Sequence, residues 1–160
     1  MLLHLLRHAD AGDPDAWEGP DAARPLSDKG RKQSDRLGAY LARIDFAGGP
    51  FITSPKVRAA ETAKLVADHV KGEIVENDRL ASGLDLASVE AILDDAGDPD
   101  RAVLVGHDPD FTDLLAELCA APSLEMKKGA FARIEIERPL RAGAGTLRWL
   151  IPPDALKPER

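Results

Sequence analysis

The sequence predicts an α/β fold, a three-layer α/β/α sandwich whose central sheet is mostly parallel and closes on an antiparallel C-terminal edge. Three observations lead there. Short apolar runs fit for buried strands alternate with segments of helical periodicity up to about residue 120. Two of those runs, Met1 to Leu6 and Ala102 to Val105, stop abruptly at Arg7-His8 and at Gly106-His107. A buried strand of a parallel sheet delivers such residues to the crevice at its carboxyl end. Beyond about residue 130 the pattern changes to apolar–polar alternation, in Ala130 to Glu137 and again in Thr146 to Ile151. That alternation is the mark of an antiparallel pair.

Each element has a local reason. After the first strand comes a loop rich in Gly, Pro and Asp, from Ala9 to about Pro25. Ser27 is placed to cap a helix with Asp28 in its first turn and Leu37, Tyr40 and Leu41 at helical spacing. Gly48-Gly49-Pro50 breaks the chain before a short strand, Phe51 to Thr53. Ser54-Pro55 then reads as a helix start, serine at the cap and proline at the first helical position. The apolar face of that helix runs through Ala59, Ala63, Val66 and Val70. A short strand near Ile74-Val75, a helix around Leu86 to Leu93, the strand ending at Gly106 and a helix opening at Asp108-Pro109 complete the alternation. The tail from Pro152 is expected to lie on the surface or fray.

Composition narrows the function classes. A chain of 160 residues predicts a single domain spanning 1–160, large enough to bury roughly 68–70% of its unfolded surface. Lys and Arg number 21 against 28 Asp and Glu, a net charge of −7; with no basic stripe, nucleic acid is not the expected partner. The lone Cys119 excludes an internal disulfide and a thiolate zinc cluster. The N-terminal apolar run, interrupted by His4, is too short for a signal-peptide core or a membrane span, so a cytoplasmic protein without a membrane partner is expected.

The chemistry gathers where the parallel strands end. Arg7-His8, the stretch Ser54 through Arg58, and Gly106-His107 all fall at the carboxyl side of the sheet. Arg58 lies in the first turn of its helix, where free backbone amides and the macrodipole already favour an anion. Two arginines, a helix start and two histidines describe a site for a dianionic phosphoryl group. Guanidinium forks match phosphate oxygens, and phosphoryl transfer depends on positioning and charge stabilisation. A neutral imidazole can attack phosphorus and become phosphorylated itself.

These residues resemble a known family. Arg7-His8, the segment Ser54-Pro55-Lys56-Val57-Arg58-Ala59-Ala60-Glu61-Thr62-Ala63 and Val105-Gly106-His107 look like the motifs of the histidine phosphatase (phosphoglycerate mutase-like) superfamily. Arg24-Pro25-Leu26-Ser27, with Gly30 three residues on, is similar to its small phosphohistidine-phosphatase branch. The resemblance implies His8 as the nucleophile, Arg7 and Arg58 as phosphate ligands, and His107 as a phosphate ligand that stabilises the transition state. Arg24 would be a further phosphate contact. It implies a metal-independent phosphatase with no cofactor, acting on a phosphorylated protein, phosphohistidine first, or on a small phosphorylated substrate. Two positions depart from the family pattern. Ala9 stands where a glycine is usual. Aligning Leu80 with a leucine of the larger members puts Ser82 where they carry a glutamate acid, which leaves Asp78, Asp85 and Asp108 as nearby candidates.

Other readings compete. The absent acid suits a phosphate- or phosphopeptide-binding module that has lost turnover. A metal hydrolase would recruit His8, His107 and Asp10 or Asp108, but arginines crowd a dication and no close-spaced ligand pair appears. His4 reads as a core histidine, His69 as a helix-end residue without a role, and Cys119 as core. Asp10, Asp13, Asp15 and Glu18 read as a solvated loop.

Overall fold

A computed structural model, describing residues 1–158, bears out the expected architecture. Six strands, β1 (Leu2–Arg7), β2 (Phe51–Thr53), β3 (Ile74–Glu76), β4 (Arg101–Gly106), β5 (Phe131–Glu135) and β6 (Thr146–Ile151), form one sheet in the order β3-β2-β4-β1-β5-β6. β1, β2, β3 and β4 run parallel to their neighbours, β1 beside β4, β4 beside β2 and β2 beside β3. β5 pairs antiparallel with β1, and β6 antiparallel with β5. The alternating C-terminal segments therefore do close one edge, and β1 lies inside the sheet with a partner on either side.

Strand pleating sends alternate side chains to opposite faces, and the two faces carry separate apolar clusters. Leu3, Leu5, Ile52 and Leu104 point into one, which α3 (Leu86–Asp95) and α4 (Asp110–Cys119) cover with Ile92, Phe111, Leu115 and Leu118. Leu6, Phe51, Val103 and Phe131 point into the other, covered by α1 (Asp28–Arg43) and α2 (Val57–Val70) through Leu37, Leu41, Ala63 and Val66. Truncating any one of the fully buried leucines to alanine would cost about 2–5 kcal/mol. His4 belongs to this second face, with its ring stacked at 5.4 Å on Phe131. Its Nε2 accepts from Arg133 Nε at 3.0 Å, so Nδ1 carries the hydrogen that reaches Ala102 O, also 3.0 Å away. Cys119, half-buried, packs against the first cluster, close to the expected core position.

Three local details sharpen or correct the expectations. Helix α2 begins two residues later than Ser54-Pro55 suggests, with Lys56 at its cap and no side chain bonded there. The Ser54 hydroxyl is engaged elsewhere, as described below. The tail is docked rather than frayed. A 3₁₀ turn over Pro153–Leu156 buries Pro153, and Leu156 packs against the cluster beneath α1 and α2. His69 is not idle, since its Nε2 meets Asp35 Oδ1 at 2.7 Å and ties α2 to α1.

Helix α1 opens as the sequence implies. Ser27 Oγ accepts from Gly30 N at 3.1 Å, a cap worth about 1 kcal/mol. Ser27 N and Oγ also reach back to the Asp10 carbonyl at 3.0 and 3.1 Å. That contact explains Gly30: a Cβ there would lie 1.9 Å from Asp10 O, so only glycine lets the first turn of α1 close on the loop after β1.

Candidate active site

The three strand ends deliver their residues to one place. His8 follows β1, Ser54 follows β2 and His107 follows β4, and these strands are mutually parallel. The His8 amide donates to Gly106 O at 2.9 Å and the Ser54 amide to Val105 O at 2.9 Å, so backbone ladders set the spacing of the three. The His8 and His107 rings lie 5.2 Å apart, centroid to centroid, tilted by 53°. Both are buried.

Hydrogen bonding assigns the protons. His8 Nδ1 lies 2.7 Å from Ala9 O. A carbonyl only accepts, so Nδ1 carries the hydrogen and Nε2 keeps its lone pair. His107 Nε2 meets Ser54 Oγ at 2.8 Å, and that same oxygen accepts from Lys56 N at 3.2 Å. The serine expected to cap α2 orients the second histidine instead. Ala9, where the resemblance leads one to expect glycine, is fully buried; its amide donates to Thr62 Oγ1 at 3.1 Å. Thr62 in turn donates to Arg58 O at 2.7 Å, which locks the loop after β1 to the first turn of α2.

Three guanidinium groups stand around the histidines, each held by its terminal nitrogens. Arg7 Nη1 donates to Met126 O at 2.7 Å and pairs with Asp108 Oδ2 at 3.2 Å. Arg58 Nη1 and Nη2 grip Asp21, carbonyl at 2.8 Å and carboxylate at 3.0 Å. Arg24 Nη1 donates to Ala11 O at 2.8 Å, and its Nη2 lies 3.5 Å from Asp21 Oδ1. Among the described residues, the buried side-chain nitrogens and oxygens without a hydrogen-bond partner are Arg7 Nε, Arg24 Nε, Arg58 Nε and His107 Nδ1. All four belong to residues singled out from the sequence. Orphaned buried donors cost about 1–3 kcal/mol each, so their concentration here calls for an acceptor-rich ligand.

Electrostatics keep the imidazoles neutral. Burial, and then the cations Arg58, Arg7 and Arg24, lower the His8 pKa to about 4 against the Ala9 hydrogen bond that raises it. Burial lowers His107 to about 3, with His8, Arg58 and Lys56 adding to the effect and Asp21 opposing it. Burial likewise takes His4 to about 4. An unfolded chain protonates these rings near the ordinary 6.5, so as pH falls from there toward 4 the unfolded state binds more protons and folding free energy is lost. Above that window the contribution is constant. The melting temperature is therefore expected to hold steady above about pH 7 and to fall by about pH 5, before most carboxylates titrate. Scanning calorimetry across that range checks it, and a flat profile would mean the rings titrate as free histidines.

Comparison with known proteins gives the family and the shared fold. The model of the histidine phosphatase superfamily (branch 1) matches residues 3–82, half of the chain, including Arg7, His8, Arg24 and Arg58. The chain belongs to the histidine phosphatase superfamily. An uncharacterized protein of Picosynechococcus sp. is 31% identical over 116 residues, 69% of this chain and 68% of that protein. The structure of the protein histidine phosphatase SixA complexed with tungstate superposes with a TM-score of 0.82 at 25% identity, covering 98% of this chain and all of that one. A mycobacterial glucosyl-3-phosphoglycerate phosphatase shares the fold, with a TM-score of 0.67 at 17% identity over 93% of this chain and 96% of its own.

In this member of the superfamily, the acid candidates are hydrogen-bonded elsewhere or exposed. Asp108 accepts from Thr112 N at 3.0 Å and from its hydroxyl at 2.7 Å while paired with Arg7. Asp85 caps α3 through Ser88 N at 2.7 Å. Asp78 is exposed at the head of a 3₁₀ turn, and Ser82 is exposed just beyond it. Asp10 is committed to Ser27, whose hydrogen bond lowers its pKa. Among the described residues, no group of three or more His, Cys, Asp or Glu is placed to hold a metal ion. Among the described residues, no helix is long and apolar enough to cross a membrane. The sequence reading placed Ser54 at the site only as a helix cap, not as the partner of His107, and missed Asp21, which no local pattern marks.

Proposed function

We propose that this chain is a metal-independent phosphatase that forms a phosphohistidine on His8, with phosphohistidine on a partner protein as its preferred substrate. The observation that carries the reading is the set of unpartnered buried nitrogens, Arg7 Nε, Arg24 Nε, Arg58 Nε and His107 Nδ1, beside the bare Nε2 of His8. Three guanidinium groups against the carboxylates of Asp21 and Asp108 leave a net positive pocket, suited to a dianion.

In the first step His8 Nε2 attacks phosphorus, the bond to the leaving nitrogen or oxygen breaks, and its electron pair goes with the leaving group. The proton stays on Nδ1, and its hydrogen bond to Ala9 O stabilises the cationic phosphoimidazole. In the second step water attacks phosphorus, releasing phosphate and restoring neutral His8. Ser54, giving its hydroxyl hydrogen to His107 Nε2, fixes the tautomer that presents Nδ1–H to a phosphoryl oxygen. The guanidinium Nε–H groups take the remaining oxygens, where charge redistributes in flight.

Rapid alkaline quenching with a radiolabelled phosphohistidine protein tests the scheme. Acid-labile label on His8, with turnover indifferent to chelator, is the expected result. Steady turnover without label, or activity lost in chelator and restored by a divalent metal, would refute it. A small-molecule phosphomonoesterase is the second reading, supported by the fold shared with the glucosyl-3-phosphoglycerate phosphatase; the leaving-group comparison in the Discussion separates the two.

A further inference from the structure

One cavity shares a residue with the phosphate site yet lies outside it. It has a volume of about 270 Å³ and is lined by Ala11, Ala16, Trp17, Pro25 and Leu26. Arg24 lines it too, and Arg24 is also close enough to His8 to bias its titration. Arg24 is 8% exposed with its Nε unpartnered, so a buried donor of the phosphate site borders this apolar space.

Trp17 is the odd residue in it. An indole 38% exposed on a loop has no core to serve, yet it is held in place. Its Nε1 donates to Pro20 O at 2.9 Å, and it packs on Gly19 so closely that a Cβ there would lie 3.0 Å from the ring. The loop that carries it, residues 10–21, holds Asp10, Asp13, Asp15, Glu18 and Asp21 and no Lys or Arg. Asp10 and Asp21 are committed to Ser27 and Arg58, which leaves Asp13, Asp15 and Glu18 exposed. Asp13 also lines the cavity.

We infer that this cavity is the leaving-group subsite, in which the Trp17 face receives the imidazole ring of a phosphohistidine carried on a basic segment of a partner protein. The inference rests on the phosphatase reading above and names what selects the substrate. An indole face attracts a planar ring, and a cationic one more strongly. The three exposed carboxylates favour Lys and Arg flanking that ring and repel acidic leaving groups such as a glycerate. A ring that enters with its far nitrogen protonated leaves as neutral imidazole, the proton staying on the ring when the P–N bond breaks.

Two substrates with the same scissile bond isolate the subsite: a phosphohistidine peptide with flanking lysines, and phosphoramidate, which has no ring. Trp17→Ala should lower kcat/KM for the peptide by about tenfold and leave phosphoramidate unchanged, with Trp17→Phe restoring most of the loss. Equal losses on both substrates, or none on either, would overturn the subsite. Exchanging Asp13, Asp15 and Glu18 for Asn, Asn and Gln should abolish the preference for lysine-flanked over glutamate-flanked peptides; an unchanged preference would overturn the charge argument. A wild-type enzyme inactive on both substrates refutes the phosphohistidine reading itself, and the subsite with it.

Discussion

His8→Ala is expected to reduce turnover by at least about 10⁴-fold while leaving tungstate or phosphate affinity within a few-fold of wild type. The two effects separate because they live on different groups. Binding draws on the unpartnered Nε–H groups of Arg7, Arg24 and Arg58 and on His107, none of which needs the imidazole for its position. Each guanidinium is anchored through its terminal nitrogens by Met126, Asp108, Asp21 or Ala11. Turnover needs the lone pair on His8 Nε2, and no neighbouring group can replace it, since His107 is turned toward Ser54. Calorimetric titration with tungstate and steady-state rates on one preparation make the comparison. More than a few per cent residual activity in His8→Ala would end the covalent scheme, and loss of anion binding would show that the ring holds the pocket open rather than reacting in it.

The second large effect concerns the leaving group. An alkyl phosphate departs as a basic alkoxide unless protonated, and a missing general acid costs roughly 10²–10⁴-fold. Asp108 and Asp85 are bound up in hydrogen bonds, and Ser82, where the resemblance to larger members would put the acid, is an exposed serine. Imidazole and aryl oxides leave without that help. The kcat/KM for phosphohistidine peptides and aryl phosphates should accordingly exceed that for sugar or glycerate phosphates by a factor in this range. Ser82→Glu should narrow the gap by raising the alkyl rates. Efficient wild-type hydrolysis of a simple alkyl phosphate would reveal an acid among these residues and favour the small-molecule reading.

Much of this site was legible in the sequence because its carriers are strongly constrained. Buried strands of a parallel sheet read as unbroken apolar runs, so the positions of His8 and His107 at their ends stood out, and Arg58 followed from its place in a helix's first turn. Gly30 was visible as a motif residue, although its cause, the close approach of Asp10 O, needed coordinates. What escaped was contact between distant segments. Asp21 meets Arg58 across 37 residues of chain, and a carboxylate in an acidic loop carries no local sign of such a pairing. Ser54-Pro55 looked like a cap because the dipeptide is a good one; the hydroxyl's bond to His107, 53 residues away, outweighed the local preference. Asp108 was visible as a helix start and as a potential acid or metal ligand, but nothing in its neighbours predicts the Arg7 ion pair.

The position of β1 in the sheet has a consequence for how the protein opens. Arg7 N is bonded to Ala130 O on one side and His8 N to Gly106 O on the other, and Gly129 N donates to the carbonyls of both Arg7 and His8. Freeing these amides requires breaking the sheet along both flanks, so they should exchange with solvent only through global unfolding. The segment from Gly12 to Ala23 is exposed and held by short turns and side-chain bonds, which open with little cost. The molecule thus fastens its reactive nitrogen to the slowest-exchanging backbone it has and hangs Trp17 and Asp21 on some of the fastest. Deuterium uptake should climb within a dozen residues of His8, and a docked partner should slow exchange in the loop without changing it at the strand.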